Sequence, residues 1–184
     1  MLSPNIIFKN FKIKNTSSNQ KKKLLKDLKN LLNEKNHILS SLNSDYKSSY
    51  NKDLIFKLKK FKNFKLIGIG GSILGDKAIY NSLSPKIKNF FFFDNFSYSL
   101  KKINFSKKSL NIIVSKSGNT LETIVNSNIL INKKDTNIIV TENKKSYLMD
   151  LAKKIKSEVV HHNNFIGGRY SVLSEVGMLP AELM

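Results

Sequence analysis

Three short stretches hold the residues best suited to chemistry. Gly68-Ile69-Gly70-Gly71-Ser72-Ile73-Leu74-Gly75 sets a serine among glycines at the end of an apolar run. Ser115-Lys116-Ser117-Gly118-Asn119-Thr120 gathers three hydroxyls and an ammonium around one glycine, directly after Ile112-Ile113-Val114. Both read as strand, tight turn and helix start. A helix N-terminus offers unpaired N–H groups and about half a positive charge, hydroxyls add donors, and glycine lets the backbone approach an anion. The chemistry this favours is capture of a phosphate ester, with Ser72 at one helix start and Ser115, Lys116, Ser117 and Thr120 at the other. The plainer alternative for the second stretch is helix capping by Asn119 or Thr120, with Glu122 or Thr123 in the first turn. Lys116 has its own plain alternative, a solvated loop lysine. The first stretch lacks the spacing of a dinucleotide fingerprint, and no Gly-Lys-Ser/Thr closes it as a Walker loop.

The third stretch is Gly167-Gly168-Arg169-Tyr170-Ser171-Val172-Leu173-Ser174-Glu175-Val176-Gly177, and it carries the single arginine among 32 basic residues. Lysine, asparagine and isoleucine are all abundant, as an AT-rich coding sequence would produce. An arginine kept against that drift points to a need for the planar, five-donor guanidinium; the alternative is a surface salt bridge. The net charge of +19 and pI near 10.0 invite a nucleic-acid reading. The lysines are spread along the chain, however, and are not gathered on one aromatic-studded element. They read as a solvated surface whose field steers anionic metabolites inward, not as a specific nucleic-acid interface.

The elements that must position these stretches follow from periodicity. Residues 1–18 form an irregular arm ending in helix-start residues. A leucine stripe with lysines opposite predicts one helix from Gln20 to about Ser41, and a basic amphipathic segment follows at 46–62. Then strands and helices alternate. Strands are expected at Leu66–Gly70, Phe90–Phe93, Asn111–Ser115, Asn137–Val140 and Glu158–His161. Helices are expected at Ile73–Leu83 (stopped by Pro85), near Ser97–Ile103, at Thr120–Ile131 and at Lys145–Lys154. Five apolar strands alternating with helices predict an α/β three-layer sandwich around a mostly parallel sheet. Ligands of such sheets sit at the carboxyl ends of the strands, where strand order reverses.

Composition narrows the rest. A chain of 184 residues with 40% hydrophobic content can build a full core. It has no cysteine, so disulfides, thiolate metal sites and cysteine nucleophiles are excluded. No apolar run approaches the roughly 20 residues of a membrane span, and the start lacks a secretory signal. A cytoplasmic protein is expected. His37 falls on a polar helix face, and the adjacent His161 and His162 point to opposite faces of a strand end, so neither supplies a metal site.

Taken together, the three stretches resemble the glucose-6-phosphate isomerase family. The first two are similar to the sugar isomerase (SIS) domain of many sugar-phosphate proteins; Gly-Gly-Arg-Tyr-Ser-Val-Leu-Ser with Val-Gly after it is a signature of the isomerase itself. The resemblance covers about residues 60–184. It implies a helical lead-in at 1–60, a SIS-like sugar-phosphate domain at 61–165 and the start of a following segment at 166–184. It further implies that Ser72, Ser115, Lys116 (in part through its backbone), Ser117 and Thr120 hold the sugar phosphate, and that Gly71 lies beside the substrate. Arg169 would be catalytic, stabilising an enediolate-like intermediate. The implied reaction interconverts glucose 6-phosphate and fructose 6-phosphate in glycolysis and gluconeogenesis, without metal or organic cofactor, in a homodimer. The implied carboxylate base, ring-opening histidine and C-terminal lysine match no residue up to Met184, so the chain reads as an N-terminal portion, nearly inert alone. Asp76, Asn119 and Glu175 depart from the family's usual proline, threonine, and proline or small residue. The alternative is a non-catalytic, regulatory sugar-phosphate-binding domain.

Overall fold

The computed structural model describes residues 17–34, 36–83, 89–96 and 108–184. The chain divides into two compact units, Met1–Asn36 and His37–Met184. In the first, α1 (Ser18–Asn33) opens with a capping box between Ser17 and Gln20, and its leucines are exposed. The single helix expected to Ser41 is two, because Glu34 is extended and α2 (His37–Ser40) is separate. The asparagines around the break favour local turns over helix interior.

In the second unit the expected strand–helix alternation is present. Strands β1 (Asn63–Ile67), β2 (Asn89–Phe93), β3 (Leu110–Val114), β4 (Thr136–Thr141) and β5 (Glu158–His161) form one all-parallel sheet in the order β2-β1-β3-β4-β5. The helices are α3 (Lys52–Leu58), α4 (Leu74–Leu83), α5 (Leu121–Leu130), α6 (Tyr147–Ile155) and α7 (Glu175–Leu183). Strand residues alternate between two apolar cores, which makes three layers. Phe64, Leu66, Ile112 and Val140 meet Leu54 and Leu58 of α3, Tyr80 of α4 and Leu179 of α7. Ile67, Ile113 and Ile139 meet Leu130 of α5 and Leu148 and Ala152 of α6. Each fully buried aliphatic side chain contributes about 1.5–3 kcal/mol.

Several boundaries differ from the expected ones, and three of the differences have a visible shape. Strand β1 starts earlier than expected, because Lys65 is buried: its ammonium donates to the Asp135 carboxylate at 2.8 Å and the Leu130 carbonyl at 3.2 Å. The strand also ends at Ile67, short of the expected Gly70, and the expected turn at Gly70–Ser72 is a single tight helical turn. Only 52–58 of the amphipathic segment is helical, capped by the Asn51 side chain. The expected helix at Ser97–Ile103, Pro85 and all but the last two residues of the N-terminal arm lie outside the described residues.

The strand order positions the site. Strand β2 lies on one side of β1 and β3 on the other, so the chain reverses direction across the sheet between them. A crevice forms at the carboxyl ends of strands flanking such a point. The stretches that follow β1 and β3 are the two Gly/Ser loops.

Candidate functional site

The loop after β3 is built from its own hydroxyls. Ser115, buried, still donates its N–H to Val140 and places its Oγ 2.9 Å from Thr120 Oγ1; Ser117 Oγ lies 3.4 Å from the same atom. Asn119 N–H donates to Ser117 Oγ at 3.2 Å, and Gly118 N–H closes the turn on Ser115 O. Gly118 has φ +68°, and a Cβ there would stand 2.2 Å from Ser146 Oγ. Thr120 is the N-cap residue of α5, as one alternative held, but its side chain makes no capping bond. The hydroxyls therefore cluster beside an N-terminus that they do not cap, leaving donors for an anion.

The loop after β1 meets the end of β3 and the arginine stretch. An atom at the Cβ position of Gly68 would lie 3.1 Å from the Val114 carbonyl and 3.2 Å from Ser72 Cβ. Beyond it the Gly70–Ser72 turn packs on a second tight turn, Gly168–Leu173. A Cβ on Gly71 would fall 2.2 Å from Gly168 O and 2.9 Å from Arg169 N, so only glycine permits this approach. Ser171 Oγ donates to Gly168 O at 2.7 Å and touches Gly71 O at 3.5 Å. Arg169 is exposed and, among the described residues, forms no ion pair.

Lys116 sits in the hydroxyl loop but turns toward β4 and β5. Its ammonium donates to Asn164 O at 2.7 Å and lies 3.5 Å from Glu142, while its carbonyl accepts from Glu142 N–H and Thr141 Oγ1. Burial pushes the Glu142 carboxyl upward, but the bond and charge of Lys144, then those of Lys116, hold it below the usual range. The sequence placed Ser115, Ser117 and Thr120 together; that Gly71 would meet the arginine turn is a finding of the structure. It held no sign that Glu142 would engage Lys116.

Two buried carboxyls also escaped assignment. Asp76, in the first turn of α4, is 1% exposed; burial pushes it up to about 8, and its Oδ1 has no hydrogen-bond partner among the described residues. Glu175, equally buried, opens α7. His162 is buried and His161 exposed, in keeping with opposite faces. Burial lowers the His162 pKa, and its neutral Nδ1–H donates to Asn163 O at 3.1 Å. Among the described residues no group of three or more His, Asp or Glu could hold a metal.

A family model described as phosphoglucose isomerase matches residues 13–184. The chain belongs to the phosphoglucose isomerase family. The glucose-6-phosphate isomerase of Borreliella afzelii (strain PKo) is 41% identical over 140 residues, which are 66% of this chain and 26% of that enzyme. That of Methanocaldococcus jannaschii is 37% identical over 143 residues, 71% of this chain and 35% of its own length. The chain thus spans about a quarter to a third of these phosphoglucose isomerases. A hypothetical protein from Thermus thermophilus shares the fold with TM-score 0.66 at 22% identity, over 90% of this chain and 45% of its own.

Proposed function

We propose that the chain is the phosphate-recognition portion of a glucose-6-phosphate isomerase, which interconverts glucose 6-phosphate and fructose 6-phosphate through a cis-enediol. The observation that carries this reading is the contact of the Arg169 turn with Gly71, beside the hydroxyl loop at the β1/β3 crevice. The phosphate would lie at the N-terminus of α5, taken by Ser115, Ser117 and Thr120, with Ser72 at its edge. Lys116 would serve through its backbone and by holding the loop. Moving a proton between C1 and C2 puts negative charge on a carbonyl oxygen. The Arg169 guanidinium, free of an ion-pair partner among the described residues and permanently charged, would offset it. General acid–base groups, commonly worth a factor of about 100 to 10,000, are assigned to no residue of this chain. The enzyme would act in the cytoplasm as a homodimer. A regulatory binding domain would use the same hydroxyl loop but leave Arg169 without a task.

The test is the melting temperature with fructose 6-phosphate against equal inorganic phosphate and fructose. Ligand at 100 times Kd stabilises by about 2.7 kcal/mol, a shift of several degrees. A rise specific to the sugar phosphate supports the reading. A cooperative melt that no sugar phosphate moves would count against it.

A further inference from the structure

The turn carrying Arg169 makes no ion pair of its own among the described residues, so something else must hold it in place. It lies in a segment whose two ends are joined by one carboxylate. Glu175 follows the turn directly, and its Oε1 accepts the Asn163 N–H at 2.6 Å from twelve positions upstream. Its Oε2 accepts the Tyr46 hydroxyl at 2.8 Å. At the first position of α7 the carboxylate also faces the positive end of the helix dipole. Next to Asn163, the carbonyl of Asn164 accepts from Lys116 of the hydroxyl loop at 2.7 Å. Residues 163 and 164 are therefore gripped from both sides, by α7 and by the loop after β3. From there the chain runs through buried Ile166 into the arginine turn, which ends at Ser174 with its Oγ donating to Ser171 O at 2.7 Å.

We propose that Glu175 is a positioning residue: it clasps the segment from Asn163 to Ser174 into a closed loop and so fixes the Arg169 turn against Gly71. It does not touch substrate. The proline or small residue that the family resemblance leads one to expect here could accept neither bond, so this clasp is a device of this chain's own sequence. The consequence for ligands rests on the sugar-phosphate reading; the clasp itself does not.

Because Arg169 is the single arginine, its Nε–H gives one side-chain signal in the uniformly 15N-labelled 184-residue chain. Glu175→Ala should lower the heteronuclear NOE of the Arg169 amide and its neighbours. It should weaken fructose 6-phosphate about tenfold, on the scale of a lost charge-assisted hydrogen bond, and leave inorganic phosphate within about twofold. Glu175→Gln, which keeps an acceptor for Asn163 N–H, should recover most of the difference. An unchanged NOE in folded Glu175→Ala overturns the proposal, as does an equal loss of both ligands, the mark of general loosening. If Glu175→Ala does not fold, Glu175→Ser, a helix-start side chain too short to span to Asn163, takes its place, and an unchanged Arg169 NOE in it overturns the proposal equally. A wild-type chain that does not distinguish the sugar phosphate from phosphate refutes the functional reading; the NOE comparison still decides the clasp.

Discussion

Asp76 and Glu175 make an instructive pair. Each is a carboxyl side chain 1% exposed, each lies in the first turn of a helix, and each helix follows one of the two turns that meet at Gly71. Glu175 accepts a hydroxyl and a backbone N–H; Asp76 has an oxygen with no partner among the described residues. Burial without partners costs a charge its solvation, whereas burial with donors turns the same group into a fastener. Asp76 answers by staying protonated up to about pH 8. Glu175 answers by holding a loop together. The same chemical group thus weakens one side of the site with rising pH and braces the other.

The largest effect that separates them is on pH-dependent stability. In the unfolded chain Asp76 ionises near its ordinary value of 3.8, but in the fold only near 8. Its contribution is therefore complete below about pH 4 and shrinks as pH rises toward 8, by up to about 5 kcal/mol. Asp76→Asn should flatten that slope: urea unfolding should show the variant level with wild type near pH 4 and clearly more stable at pH 8. A parallel pH profile for the two proteins would show that the Asp76 carboxyl is not the source of the slope.

Next in size is the joint that both helices share. Gly71→Ala forces a methyl against Gly168 O and should cost about 2–4 kcal/mol, with fructose 6-phosphate binding weakened more than phosphate binding. Denaturant melts and titration calorimetry of the one variant read both. Glu175→Gln should cost less, about 1–2 kcal/mol, since one acceptor survives. Unlike Asp76→Asn, it should destabilise the fold.

The smallest effect concerns His162, 4.0 Å from Glu175 Oε1 and within reach of the charges of Lys116 and Glu142. Its depressed pKa means that its contribution is present above the ordinary value of 6.5 and is lost as pH falls through and below it. His162→Gln should remove a shallow acid-side slope in thermal melts between about pH 7 and 5. If the slope persists, His162 is not its source; Glu142, held below its ordinary 4.5 by Lys144 and Lys116, loses its contribution only at pH below that value.

The sequence made the strand–helix alternation legible because β1, β2 and β3 are apolar runs followed by glycine or small polar residues. The hydroxyl loop was legible for the same reason. Its donors lie within six residues, Ser115 to Thr120, so spacing alone describes it. The meeting of Gly71 with Gly168 was not derivable from spacing, and the family resemblance implied only that Gly71 lies beside the substrate. Lys65 misled the boundary of β1, since a lysine whose acid partner is Asp135 looks the same in sequence as a solvated one. The roles of Glu175 and Tyr46 were invisible for a related reason. Their bond spans 129 positions, and no local pattern announces it.

That distance along the chain carries a kinetic consequence. The crevice exists only after β1 has paired with β3 across the whole of the β2 excursion and after Ser171 has come to Gly71 from 100 positions away. A site made of such non-local contacts is completed late, once loop-closure entropy has been met. A ligand that recognises the finished crevice has nothing to grip in a half-folded chain. It should leave the refolding rate where it was and slow unfolding in proportion to its occupancy, so that substrate works as a lock on the assembled protein and not as a template for its assembly.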